Sequence, residues 1–154
     1  MATIVSLNRS NGGVPKLPVE EAWARAEGLE GDRQRDRRFH GGLQRALCLY
    51  SAERIEALRA EGHPIAPGTT GENVTVAGLD WDRVVPGVRL RLGAALVEVT
   101  SFTTPCKNIR GSFRHEEFTR ISQKLHPGWS RVYARVLEEG LLRPGDAADI
   151  LAPR

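Results

Sequence analysis

A mostly β fold, a β-barrel with two or more short helices packed on it, is what this sequence predicts. Three observations lead there. Short runs alternate apolar and polar residues with a period of two, the signature of half-buried strands. Sixteen glycines and nine prolines in 154 residues punctuate those runs with turns. Apolar residues at 40% and charged residues at 27% describe a globular chain, and one of this length buries roughly 70% of the surface its unfolded form exposes. It needs no disulfide or metal staple.

Thr3-Ile4-Val5-Ser6-Leu7 is the first strand pattern and Ala46-Leu47-Cys48-Leu49-Tyr50 the second. A helix follows at once, with Ser51 as its cap, Ile55 and Leu58 on one face, Gly62 as its stop and Pro64 beyond. Asn73-Val74-Thr75-Val76 alternates, and Arg89-Leu90-Arg91-Leu92 turns at Gly93 into Ala95-Leu96-Val97-Glu98-Val99-Thr100, which predicts a hairpin. Phe118, Ile121 and Leu125 have helical spacing, so a second helix is expected from about His115 to Leu125, ending before Pro127-Gly128. Val132, Ala134 and Val136 share a strand face, and Ala147 to Leu151 follows the Pro144-Gly145-Asp146 turn. About seven strands at this spacing suit a barrel or sandwich, and closure would remove exposed edges. Neither repeat nor linker divides the sequence, so residues 1–154 read as one domain.

The 22 basic and 19 acidic side chains leave a net charge of +3, too little to demand a nucleic-acid or membrane partner. Neither a secretory leader pattern nor an apolar run of membrane-spanning length is present, and Cys48 and Cys106 form no CxxC pair; a reducing, cytoplasmic setting is expected. Two glycosylation triplets, at Asn8 and Asn73, carry no weight in that setting.

Three segments hold residues with chemical potential. In Thr103-Thr104-Pro105-Cys106-Lys107-Asn108 a soft thiol follows a turn proline and precedes an ammonium. Such a thiol can bind a thiophilic metal or carry a sulfur, and Lys107 and Arg110 would favour its anion; the competing reading is a small buried filler. The segment Gly31 to Gly42 sets four arginines against two aspartates before Gly41-Gly42. It reads either as an anion cradle of guanidinium forks and approachable backbone N–H groups or as a solvated loop. Gly68-Thr69-Thr70-Gly71-Glu72-Asn73 lacks the lysine and hydroxyl of a phosphate loop. The four histidines have no metal-ligand spacing, the three tryptophans are too scattered for a base-stacking platform, and Cys48 sits in an apolar run as a packing residue.

His40-Gly41-Gly42, Gly71-Glu72-Asn73, Pro105-Cys106, Gly128-Trp129 and Arg143-Pro144-Gly145-Asp146 occur in an order that resembles a MOSC domain, the module named for the C-terminal part of molybdenum cofactor sulfurase. The resemblance runs from about Leu17 to Ile150 and is to the short stand-alone bacterial type. It implies a β-barrel of the pyruvate-kinase-barrel-like kind and one important cysteine, which maps onto Cys106. In reductase members that thiolate ligates molybdenum in a pterin cofactor; in the sulfur-carrier proposal it holds a persulfide. The pterin phosphate would find Arg37, Arg38, His40, Gly41 and Gly42, and its amide-like edges Glu72 and Asn73, with Lys107 and Asn108 beside the metal ligand. Glu72 and Asn73 serve equally well as a lock on the supporting loop. Two departures stand out: Leu43-Gln44 follows the glycines where many members have Pro-Asp, and Ser101-Phe102-Thr103 precedes the cysteine where an arginine is common.

Three functions follow as expectations. The first is a molybdenum-cofactor protein reducing N-hydroxylated compounds, with electrons from a separate redox partner because no flavin or iron–sulfur motif is present. The second is a sulfur carrier loaded by a cysteine desulfurase. The third is a non-catalytic module gripping a polyanion through Arg33 to Arg45.

Overall fold

The structure, a computed structural model, describes residues 1–10, 12–32 and 43–152. Eleven strands lie among the described residues: β1 (Thr3–Arg9), β2 (Leu17–Val19), β3 (Ala22–Arg25), β4 (Gly28–Leu29), β5 (Leu47–Ser51), β6 (Val74–Ala77), β7 (Arg89–Leu92), β8 (Ala95–Phe102), β9 (Val132–Glu138), β10 (Gly140–Leu142) and β11 (Ala148–Ile150). Eight form one sheet in the order β11-β7-β8-β9-β5-β6-β1-β2, and β10-β3-β4 form a second. The fold is mostly β, as expected, but the large sheet is not closed as a barrel. β1 meets the segment leading into β11 at a bridge between Thr3 and Ala147 and at backbone hydrogen bonds of Ala2 and Ile4 with Gly145, Asp146 and Ala148, and β2 remains an edge.

Seven of these strands sit where the alternation predicts them. The hairpin is confirmed by the β7–β8 ladder, Arg89 opposite Glu98 through Leu92 opposite Ala95. The four additional strands, β2, β3, β4 and β10, hold two to four residues each, too short for a period of two to register. In β1 the pairing with β6 shifts between Ile4 and Ser6. That bulge turns both Ile4 and Leu7 into the core, three positions apart, while Val5 faces solvent.

β5 is buried along all five residues because it lies between β9 and β6. Its pairing with β6 is parallel, Leu49 opposite Val74, and so needs a crossover, which α1 (Ala52–Ala60) supplies. Ser51 Oγ accepts the Arg54 N–H at 3.1 Å as the cap, and Ile55 and Leu58 are buried, each contributing about 1.5–3 kcal/mol. Gly62, at φ 98°, then reverses the chain.

The second expected helix is not there. Residues 107–121 instead form three 3-10 segments, Lys107–Ser112, Arg114–Glu116 and Phe118–Ile121. His115 and Glu116 take positive φ values of 53° and 57°, which breaks any α-helix through them. Phe118 and Ile121 do pack inward, but a spacing of three suits a 3-10 turn as well as an α-helix, and Leu125 is exposed. No helix among the described residues is long and apolar enough to cross a membrane.

Candidate functional site

Cys106 stands where the longest strand ends. β8 closes at Phe102, the Thr103 N–H donates to the Arg131 carbonyl at 3.1 Å, and the chain leaves the sheet through Thr104 and Pro105. Cys106 has extended backbone (φ −137°, ψ 172°) at the head of the 107–112 turn, and its side chain caps nothing. Its carbonyl accepts the Ile109 N–H at 3.1 Å, Ile109 plugs into the core, and Ser112 Oγ donates to the Thr69 carbonyl at 3.1 Å. The turn is thus pinned on both sides, leaving the thiol half-buried between exposed Thr104 and exposed Lys107 and Asn108.

A polar network lies inside the sheet nearby. The Lys16 ammonium meets the Asp32 carboxylate at 2.5 Å, with only 7% and 2% of the two side chains exposed. Asp32 also accepts the Asn73 side-chain amide at 2.8 Å and the Ser10 N–H at 2.9 Å. Asn73 Oδ1 accepts the Cys48 N–H at 3.0 Å, so one amide ties the loop before β6 to β5 and to Asp32. Lys16 reaches this place because its N–H binds the Gly68 carbonyl; a Cβ on Gly68 would collide with the Lys16 carbonyl. Glu72 is fully buried, accepting the Thr70 and Thr75 hydroxyls at 2.8 and 3.1 Å, and burial raises its pKa above the usual carboxylate range. Arg131, also buried, donates to the Thr70 carbonyl while its Nε has no partner among the described residues, like the Thr103 hydroxyl.

Cys48 packs, as the apolar run around it predicts. It lies on β5 opposite Tyr133 of β9, and burial pushes its thiol up to about 11. Tyr133 is pushed up to about 12, first by burial and then by Cys48, with Cys106 a smaller neighbour in the same field. The guanidinium of Arg45 sits 5.3 Å from the Tyr133 ring centre, and Thr100 Oγ1 donates to the Gln44 carbonyl. The ends that border the arginine-rich segment therefore land together. Asp32 connects through Asn73 to Cys48, and Arg45 lies on Tyr133, opposite Cys48.

Arg37, Arg38, His40, Gly41 and Gly42 lie outside the described residues. Among the others, Glu72 and Asn73 turn their side chains into the network, at the end of the loop between α1 and β6. Lys107 and Asn108 are exposed on the Cys106 turn. Arg110 donates to the Lys107 carbonyl at 2.9 Å and pairs with Glu116 at 3.4 Å. Trp129 is half-buried between two guanidinium groups, Arg120 at 4.2 Å and Arg54 at 4.9 Å from its ring centre, and its carbonyl accepts the Tyr50 hydroxyl. Sequence reasoning did not single out Lys16, Arg131 or Tyr133. Lys16 and Asp32 are joined only by loop packing, which leaves no periodic trace; Arg131 precedes β9 and Tyr133 stands in it, where alternation signals burial and not chemistry.

Comparison with known proteins identifies the family. The family model described as MOSC domain matches residues 36–149. The chain is 35% identical over 142 residues to YflK of Bacillus subtilis, an uncharacterized protein, covering 91% of this chain and 63% of that one. It is 29% identical over 118 residues to a Gibberella moniliformis protein named reductase, covering 73% of this chain and 20% of that one. The chain thus spans less than two thirds of the length of these relatives. The crystal structure of YiiM from Geobacillus stearothermophilus superposes with a TM-score of 0.74 at 26% identity, covering 99% of this chain and 76% of the other. The chain belongs to the MOSC domain family, which is associated with the molybdenum cofactor.

Proposed function

We propose that this chain binds a molybdenum pterin cofactor, with the Cys106 sulfur as the protein's ligand to the metal, and reduces N-hydroxylated compounds with electrons from a separate redox partner. The observation that carries the reading is convergence: β8, which leads into the Cys106 turn and pairs Ser101 opposite Tyr133, the Glu72-Asn73 loop and the two ends bordering the arginine-rich segment meet around the Cys48–Tyr133 pair of β5 and β9.

The donor set fits such a group. Cys106 is a soft ligand whose sulfur makes no capping hydrogen bond, so it is not committed to capping the turn that follows it. Arg37, Arg38, His40, Gly41 and Gly42 are the proposed contacts for the pterin phosphate, on donor chemistry alone. Glu72 and Asn73 support the reading from beneath, since their side chains hold the loop between α1 and β6. Lys107 and Asn108, exposed beside Cys106, would complete the contacts. When bound, the group would supply two-electron exchange at the metal; the chain's own part is to hold one sulfur fixed while keeping the neighbouring thiol, Cys48, neutral and buried.

A sulfur-carrier reading is favoured by one feature, the exposure of Thr104, Lys107 and Asn108 around Cys106, which lets a second protein approach the sulfur. In that case the Cys106 thiolate attacks the outer sulfur of a desulfurase persulfide, and the donor cysteine departs as a thiolate. One experiment separates the two. Protein purified from a host that makes the cofactor should contain close to one molybdenum per chain, lost in Cys106→Ser. If instead it contains no molybdenum and gains one sulfur in intact mass after incubation with a cysteine desulfurase and cysteine, the carrier reading replaces the reductase.

A further inference from the structure

Beside the Cys106 turn lies a cleft of about 270 Å³ that the motifs do not account for. Its walls come from three loops: Val14 and Pro15 before β2, Pro64 and Thr69 after α1, and Asn108, Ile109, Gly111 and Ser112 of the 3-10 turn. No charged side chain is among these residues. The hydroxyls are already used within the protein, Thr69 Oγ1 with Ala66 and Ser112 Oγ with the Thr69 carbonyl. What remains is an apolar wall and one side-chain amide. Asn108 is exposed, makes no hydrogen bond among the described residues, and stands two positions from Cys106.

We infer that this cleft binds the flat, uncharged, mainly apolar body of a small molecule whose amide-like end pairs with Asn108. A charged ligand would lose its hydration there and find no counter-charge among the lining residues. The volume falls just below the roughly 300–1,000 Å³ of pockets for drug-sized ligands, which suits a compact ring. The carbon skeleton would fill the cleft and the polar end would meet Asn108, two residues along the chain from Cys106. As the seat of a substrate's body the inference rests on the reductase reading; as a binding site it does not.

Gly111 offers a way to block the cleft without disturbing the fold. Its φ is not in the left-handed region, and a Cβ built on it meets no atom within 4 Å, so Gly111→Phe can be accommodated by filling the empty space. The test titrates benzamide into the full-length, isotope-labelled chain and follows backbone amide shifts. Saturable shifts at Thr69, Ile109, Gly111 and Ser112 are expected, retained in Cys106→Ser and Gly111→Ala, lost in Gly111→Phe, and about tenfold weaker for benzoate, which carries a charge. Asn108→Ala should weaken benzamide several-fold and leave the amide spectrum otherwise unchanged, a readout independent of how well Gly111→Phe folds. Shifts elsewhere, binding that survives Gly111→Phe in a folded protein, or benzoate binding as well as benzamide would overturn the inference. Molybdenum content does not enter this result, so the failure of either proposal is visible without the other.

Discussion

The two cysteines mark two regions that treat the same side chain in opposite ways. Cys48 lies within a continuous ladder, between β6 and β9, where every residue of the strand is buried and its N–H is held by Asn73. Cys106 lies just past the end of a ladder, in a turn whose neighbours face water. Burial makes the first thiol a neutral filler with its pKa at about 11; the break in regular pairing leaves the second open to an approaching partner. Reactivity here is thus a matter of where the sheet stops, with the seam around Cys48 serving as the rigid floor for the turn around Cys106.

The floor can be broken most severely at Asp32. Asp32→Asn removes the only negative partner that the buried Lys16 ammonium has among the described residues, and stranding such a charge costs about 3–5 kcal/mol. Urea denaturation should show a loss of that size. Adding Lys16→Met should restore much of it, because replacing both members of a buried pair is far cheaper than removing one. Equal losses in the single and double variants would mean that the pair contributes nothing as a pair.

The contrast between the thiols can be measured directly. At pH 8 a thiol titrating at about 11 is ionised in roughly one molecule per thousand, and Cys48 is only 7% exposed. Iodoacetamide should therefore label Cys106 at least about a hundredfold faster than Cys48, with Cys48 reacting only in unfolding urea. Mass spectrometry after partial labelling reads the ratio. Comparable rates would show that the β5–β9 seam opens readily and is no rigid floor.

How much of this the sequence carried differs between the same two regions. The seven strands that lie on apolar–polar runs bounded by turn residues, and the helix with a serine cap and glycine stop, were legible because a local pattern encodes them. So were Cys106, Glu72 and Asn73, through their place in an ordered set of motifs. The helix expected over 115–125 was misread because Phe118 and Ile121 satisfy two helical periods at once, and nothing in the sequence announces the positive φ of His115 and Glu116. Lys16 with Asp32, and Arg131 under the Thr70 carbonyl, were invisible for another reason. Their partners are chosen by how loops pack, across 16 and 61 residues of chain.

The finest test of the floor is its proton. Glu72 is buried with its pKa raised, so the folded chain holds this proton more tightly than the unfolded chain does. From the unfolded carboxyl value of about 4.3 up to the raised folded value, the native state binds more protons, and stability falls as pH rises through that window. Glu61 and Glu98 act in the opposite sense: Arg120 and Arg135 hold their pKa values down, so their contribution is lost as pH falls. Glu72→Gln keeps hydrogen bonds to Thr70 and Thr75, since a threonine hydroxyl accepts from an amide as readily as it donates to a carboxylate, but has no proton to release. Near pH 4, where Glu72 keeps its proton in the folded chain, stability should change by no more than about 1 kcal/mol, whereas the decline above pH 4.3 that Glu72 causes should disappear, leaving Glu72→Gln the more stable protein at neutral pH. Urea midpoints of both proteins between pH 4 and 8 would show it. If the two curves run parallel, Glu72 exchanges its proton freely with water, and the closed floor under Cys48 gives way to a hydrated one.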